Sequence, residues 1–124
     1  MSERIAIMEV TQLAPGATAI VISGDVTAAC EQDLMTAHEA ATDAGAKWII
    51  LDFTAMDYMN SGGIGMLVTL LVRGQRRQQK IAAVGLTEHY RQIFELTRLD
   101  EAIALFETTD AALAAFQEVT DGRR

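Results

Sequence analysis

Cysteine and histidine are scarce in this 124-residue chain, which contains one cysteine and two histidines. Cys30 has no second cysteine with which to form an internal disulfide, and a single thiol suits a reducing compartment. Because Cys30, His38 and His89 lie far apart in the sequence, a structural zinc site is not expected. Neither histidine has a spacing to a serine that indicates a catalytic triad, and we expect both at the protein surface or at its boundary.

Positive charge and long apolar runs are also lacking. Lys and Arg number 10 against 17 Asp and Glu, and the resulting net charge of −7 repels nucleic acid phosphates. The longest apolar run, 64–72, is interrupted by Gly65 and Thr69, and it is far shorter than the roughly 20 residues of a membrane span. The first residues lead into alternating sequence rather than a secretory signal. We therefore expect a cytoplasmic protein that neither inserts into a membrane nor binds nucleic acid.

The hydrophobic pattern predicts one α/β domain. Half of the residues are hydrophobic, and strand-like runs alternate with helical periodicity. Predicted strands cover 4–10, 18–23, 47–53, 80–86 and 102–106, and predicted helices cover 30–45, 62–77, 87–97 and 109–119. This order indicates a mixed, mostly parallel sheet of about five strands, antiparallel at its start, with about four helices. We expect the domain to extend from residue 4 to 118, with 119–124 as a flexible tail.

The segment 52–65 carries the chain from the end of the central strand into a helix, a position at which α/β sheets bind ligands and partners. Asn60 or Ser61 can cap this helix, and the glycines that follow allow close approach of another backbone or an anion. A phosphate on Ser61 would meet free backbone N–H groups and the positive end of the helix dipole. From the local sequence alone, an ordinary helix cap is the favoured interpretation, since caps are far commoner than phosphorylation sites.

Other candidate sites are weaker. Gly63 and Gly65 lack the third glycine of a dinucleotide motif and no phosphate-binding loop is present, so no nucleotide cofactor is expected. Asp52 and Asp57 could bind a cation, but carboxylates at strand ends are usually solvated or capping groups. The basic cluster at 73–80 could hold an anionic surface, yet a solvated helix end explains it equally well. We therefore predict no cofactor, no metal and no enzymatic activity.

The helix at 62–77 is apolar around much of its circumference. Ile64, Leu67, Val68 and Leu71 form one stripe, whereas Met66 lies off it, as does Leu70. Methionines suit adaptable interfaces, so part of this surface could face a partner. The alternative, that the whole helix lies deep in the core, is equally compatible with the pattern.

Three stretches together resemble the STAS domain of anti-sigma factor antagonists. They are 49–71, the Gly-Asp-Val-Thr at 24–27, and the Val-Gly-Leu at 84–86 that leads into 93–99. The resemblance covers about residues 4–118. It implies a non-enzymatic domain that docks onto an anti-sigma factor, which is also a serine kinase, and thereby releases a sigma factor. It further implies that the kinase phosphorylates a serine at the start of the helix after the central strand, and that a serine phosphatase reverses this step.

The family motif, Asp-Ser-Ser/Thr-Gly-hydrophobic-Gly, is altered here. The matching segment is 60–65, so the usual phosphoacceptor position is Gly62 and the usual aspartate is Asn60. Ser61 matches the first, ordinarily unmodified serine, and a shift of one helical residue turns a side chain by about 100°. Either Ser61 has become the acceptor or the protein binds its partner constitutively, and a scaffold role is a third possibility. The altered spacing favours a domain without the standard phosphoserine switch.

These observations give a predicted partner-binding surface at the start of the helix. Its residues are Asp25, Asp57, Met59, Asn60, Ser61, Gly62, Gly63, Ile64 and Met66, with Ser61 as the candidate phosphorylation site. The alternative function is a STAS-type regulatory subunit of a membrane lipid transporter, resting on the transporter's ATPase. The identity of the partner distinguishes the two hypotheses.

Overall fold

The computed structural model describes residues 5–121, with side chains described through residue 119. Within that range the chain forms six strands and four α-helices. The strands are β1 (Ile7–Ala14), β2 (Ala17–Val26), β3 (Trp48–Asp52), β4 (Met56–Met59), β5 (Lys80–Val84) and β6 (Ile103–Phe106). The helices are α1 (Glu31–Asp43), α2 (Ser61–Arg76), α3 (Glu88–Leu96) and α4 (Thr109–Asp121), with short 3₁₀ turns at Ala28–Cys30 and Leu99–Glu101.

The sheet is mixed and mostly parallel, as predicted. Its order is β1-β2-β3-β5-β6, with β1 antiparallel to β2 and the remaining pairs parallel. A turn at Pro15 and Gly16 joins the antiparallel pair, and Gly16 has the positive φ of +85° that such a turn favours. The predicted α/β class and topology are therefore confirmed.

Strand β4 was not predicted from the sequence and brings the number of strands within 5–121 to six. It is only four residues long and pairs in parallel with the carboxyl end of β2, where Val26 is paired with Met59. Strand β2 has ten residues and its neighbour β3 has five, so β2 extends beyond β3. Strand β4 forms hydrogen bonds with this extended part of β2. Strand β4 thereby places the start of α2 beside the end of β2.

Helices cover both faces of the sheet. Helices α1 and α2 pack over one face, where Ile20, Leu51 and Leu67 are fully buried, and α4 packs over the other face at β3, β5 and β6. The central strand β3 is buried on both faces, which explains its continuous apolar sequence. Full burial of one such leucine or isoleucine stabilises the fold by about 1.5–3 kcal/mol.

His38 is buried, and the prediction that it lies at the surface or boundary is wrong. It is 4% exposed on the inner side of α1, and its Nε2 lies 2.8 Å from Oε1 of Gln79. The Gln79 amide nitrogen donates to the Ala46 carbonyl at 3.2 Å, so the amide oxygen accepts a hydrogen bond from His38. The hydrogen bond to Gln79, 41 residues away in the sequence, offsets the cost of burying the polar imidazole. His89, by contrast, is exposed.

The predicted domain ends are only partly covered by the structure. Helix α4 continues to Asp121, so it extends past residue 119, where we expected a flexible tail to begin. The predicted domain start at residue 4 and the tail residues 122–124 lie outside the described residues. No helix within 5–121 is long and apolar enough to cross a membrane.

Candidate docking site

The site lies where the carboxyl ends of β2 and β4 meet the amino end of α2. Asn60 connects β4 to α2, and its backbone N–H donates to the Val26 carbonyl of β2 at 3.2 Å. Its own carbonyl accepts the first helical hydrogen bond, from the N–H of Ile64 at 3.0 Å. The start of α2 is thus fixed to the sheet edge at which ligands and partners bind in α/β folds.

Asn60, rather than Ser61, is the N-cap of α2. Its backbone is extended, and its side-chain oxygen Oδ1 accepts a hydrogen bond from the Gly63 N–H at 2.9 Å. Ser61 is the first residue of the helix and is exposed, and its hydroxyl has no hydrogen-bond partner among the described residues. The capping alternative for Ser61 is therefore wrong, and the serine hydroxyl is free to face solvent.

The first three glycines of α2 have different surroundings. A Cβ on the buried Gly63 would lie 2.5 Å from the Val26 carbonyl oxygen, so Gly63 permits the close packing of α2 on β2. A Cβ on Gly62 would lie 3.0 Å from the Cβ of Ala28, which belongs to the exposed 3₁₀ turn before α1. Gly65 has open space around it and is exposed.

Three residues of the predicted partner-binding surface lie in the core. Met59 is 5% exposed and Met66 is 4% exposed, and Gly63 is also buried. The Met66 sulfur packs 3.8 Å from the Cys30 sulfur. These three residues belong to the core beneath the surface and are not available for direct contact with a partner. The prediction that they are partner-binding residues is therefore wrong.

The other six predicted contacts reach the surface. Asp57 and Ser61 are exposed, and the half-buried members are Asp25, Asn60, Gly62 and Ile64. Asp25 and Asp57 each make further interactions within the protein. The side chains of Asp57 on β4 and Ser61 on α2 are therefore accessible, whereas Ile64 is partly buried against the core.

Helix α2 has an exposed apolar face that was not evident from the sequence. Ser61, Gly65, Val68 and Val72 follow one another at intervals of four, three and four residues, which places them on one side of the helix. Val68 is 46% exposed and Val72 is 43% exposed, so Val68 does not belong to the inner stripe, as the pattern suggested. We call these four residues the outer face of α2.

Buried glycines mark the opposite side of the helix. Gly63 and Gly74 are buried together with Leu67 and Leu70, again at intervals of four, three and four residues. Glycine permits the closest contact between a helix and a sheet, but Gly65 lies on the outer face, so glycine positions alone did not identify the inner side. Hydropathy alone could not separate the two faces, because both contain aliphatic residues.

Two other side chains have structural roles near the site. The Asp52 carboxylate accepts hydrogen bonds from the Thr54 N–H at 3.0 Å and from the Thr54 hydroxyl at 2.6 Å, which confirms the capping interpretation for Asp52. Burial raises the pKa of the Cys30 thiol above its ordinary value, so the thiol stays neutral near pH 7 and is a poor nucleophile. Among residues 5–121, no group of three or more His, Cys, Asp or Glu side chains is placed to hold a metal ion.

Comparison with known families decides the assignment. The profile of the STAS domain matches residues 9–112 of the chain. The chain belongs to the STAS domain family. Among curated relatives, this STAS domain is 25% identical over 96 residues to BtrV of Bordetella bronchiseptica, which is provisionally named an anti-sigma factor antagonist. That alignment covers 77% of this chain and 83% of the relative.

Solved structures share the same fold. An anti-sigma factor antagonist from Mycobacterium paratuberculosis has a TM-score of 0.72 at 21% identity, covering 90% of this chain and 93% of that one. The phosphorylated form of the Bacillus cell fate determinant SpoIIAA has a TM-score of 0.69 at 14% identity, covering 89% and 99%. At these identities the comparison establishes the STAS fold and no more.

The altered motif changes where a hydroxyl group lies at the start of α2. Position 62, at which the resemblance would place a phosphoacceptor, carries no hydroxyl and faces the Ala28 turn. The neighbouring hydroxyl, on Ser61, lies on the outer face of α2 and is about 100° further around the helix axis. The two positions therefore present a hydroxyl in different directions.

Proposed function

We propose that this STAS domain is an anti-sigma factor antagonist, which binds an anti-sigma factor and thereby frees a sigma factor for transcription. The observation that carries the proposal is the outer face of α2, an exposed apolar surface that begins at Ser61. A contiguous exposed apolar patch rimmed by polar residues is typical of protein-binding sites. The curated relative BtrV and the M. paratuberculosis structure, both named as anti-sigma factor antagonists, support this choice of partner class.

The proposed contact region combines the outer face of α2 with its neighbours. It includes the exposed Asp57 and Tyr58 of β4, of which Tyr58 is 49% exposed, and Ile64 in the first turn of α2. Asp25, Asn60 and Gly62 lie at its half-buried edge. Apolar residues in the middle would be desolvated on binding, with the polar residues forming a rim.

We further propose that the partner is an anti-sigma factor with serine kinase activity and that this chain catalyses no reaction itself. Position 62 carries no hydroxyl, and Ser61 presents its own in another direction, so binding is not controlled by the standard phosphoserine switch. A serine phosphatase would have a substrate here only if Ser61 were phosphorylated. Such partners place the protein in the cytoplasm.

A pull-down from lysate of the source cell tests the partner class. The bait is the tagged full chain, with Gly65→Gln as the test variant and Ala114→Gln as its control. Gly65 has open space around it, so glutamine there obstructs the outer face of α2 without disturbing packing. Ala114 is an exposed helical residue on α4, on the other side of the sheet.

We expect wild type and Ala114→Gln to retain an anti-sigma factor of the serine kinase class, and Gly65→Gln to lose it. Recovery of a transporter ATPase in its place would contradict the proposal and support the lipid-transporter hypothesis. Equal recovery with all three baits would place the binding site elsewhere on the chain.

A further inference from the structure

Strand β4 presents backbone groups on two sides at the residues before α2. Consecutive N–H groups of a strand point to opposite sides. The N–H of Asn60 points to β2, where it binds the Val26 carbonyl, and the N–H of Met59 points away from β2. Among the described strands, only β2 pairs with β4, so the Met59 N–H needs a partner from another element.

Tyr90 of α3 is that partner. Its hydroxyl oxygen accepts a hydrogen bond from the Met59 N–H at 3.0 Å, across 31 positions of sequence. The ring is half-buried against the main core cluster and forms a T-shaped contact with the exposed His89 ring, with 4.9 Å between centroids. Packing therefore holds the phenol in place. Through the hydrogen bond to Tyr90, α3 is joined to β4 at Met59, one residue before Asn60, the N-cap of α2.

We propose that Tyr90 is a positioning residue for the docking site, an inference that rests on the proposed function. The chain at Asn60 is held from two sides, by β2 through its own N–H and by α3 through the N–H of Met59. Together these bonds set where the Asn60 side chain caps α2 and where Ser61 faces. Loss of the phenol oxygen removes the hydrogen bond from the Met59 N–H, so that only β2 still holds the chain at Asn60. The start of α2 then becomes mobile, and the docking surface loses its fixed shape.

The test compares Tyr90→Phe with Ile103→Val in the full chain. Phenylalanine keeps the half-buried ring and removes only the accepting oxygen. Ile103 is fully buried on β6, which pairs only with β5 among the described strands. Its truncation by one methyl group lowers stability through β6 and leaves the hydrogen bond between Met59 and Tyr90 in place. Comparison of the two variants separates a local effect at Met59 from a general loss of stability.

In Tyr90→Phe we expect the Met59 amide to exchange with solvent about tenfold faster than in wild type. NMR should also show shifted amide signals for Gly62 and Gly63, and affinity for the anti-sigma factor about fivefold weaker. Ile103→Val should leave all three readouts at their wild-type values.

An unchanged exchange rate of the Met59 amide in Tyr90→Phe would overturn the inference. It would also be overturned if the amide signals of Gly62 and Gly63 and the affinity in Tyr90→Phe were the same as in Ile103→Val. The NMR readouts need no partner. If wild type captures no anti-sigma factor, the proposed function fails, and the exchange and shift measurements still decide the role of Tyr90.

Discussion

Gly62 packs so closely against Ala28 that a Cβ at position 62 would lie 3.0 Å from the Ala28 Cβ and 3.1 Å from its nitrogen. The contact covers the position where the STAS resemblance places a phosphoacceptor. Because Ala28 lies in an exposed turn, it can move by the few tenths of an ångström that a new side chain requires. A side chain at position 62 is therefore accommodated only when the Ala28 turn shifts slightly.

Gly62→Ser is expected to restore the standard switch. Incubated with ATP and the purified anti-sigma factor kinase, wild type should gain no phosphate, whereas Gly62→Ser should gain one. The double variant Ser61→Ala/Gly62→Ser should also gain one, because the new hydroxyl is the acceptor. Intact-protein mass spectrometry measures the transfer. Phosphorylation of wild type at Ser61 would show that the acceptor has moved by one residue.

The glycines of α2 should respond in opposite directions to alanine. Gly63→Ala forces a Cβ to within 2.5 Å of the Val26 carbonyl oxygen, and such overpacking costs about 1–3 kcal/mol of unfolding free energy. Gly65→Ala meets nothing within 4 Å and should raise stability by about 0.5–1 kcal/mol through helix propensity. Urea denaturation measures both. A similar change in the two variants would contradict the close approach at Gly63.

Asn60 and Ser61 should differ in their contribution to stability. Asn60→Ala removes the oxygen that accepts from Gly63 N–H, and loss of a cap costs about 1 kcal/mol. Ser61→Ala removes an exposed hydroxyl without a partner among the described residues and should change stability by less than about 0.5 kcal/mol. Chemical denaturation of the two variants is the measurement. A greater loss for Ser61→Ala would make serine the cap.

Cys30 should make the stability fall at alkaline pH. Burial raises the pKa of its thiol in the folded protein, so the folded state holds the proton at pH values where the unfolded state releases it. The stabilisation is complete below the ordinary thiol pKa of about 8.5 and is lost as pH rises through the folded value. The unfolding free energy of wild type should therefore decline more steeply above that pH than that of Cys30→Ala. Parallel curves would contradict the shift.

The predictable part of the fold lies in long, regular segments. The apolar run of β3 and the order of strands and helices were sufficient to predict a mostly parallel α/β sheet. Strand β4 was missed because it is four residues long and includes the exposed Asp57 and Tyr58. It forms only because β2 extends beyond β3, a relation between distant segments that local patterns do not contain.

The site was predictable in position and less so in detail. The strand-to-helix transition located Ser61 at the start of α2. The side of α2 that faces solvent was not evident, because the helix is apolar nearly all round, and Val68 was placed on the wrong face. The burial of His38 depends on Gln79, 41 residues away. Each error concerns a contact between segments distant in the sequence.

The most direct test of the account is a titration of the purified anti-sigma factor with wild type, Val68→Asp and Val119→Asp. Both valines are nearly half exposed on helices, at 46% and 48%, but only Val68 lies on the outer face of α2. A charge buried in the interface should weaken affinity by at least about tenfold, which corresponds to about 1.4 kcal/mol. We predict this loss for Val68→Asp and wild-type affinity for Val119→Asp. Wild-type affinity for Val68→Asp would contradict docking through the outer face of α2.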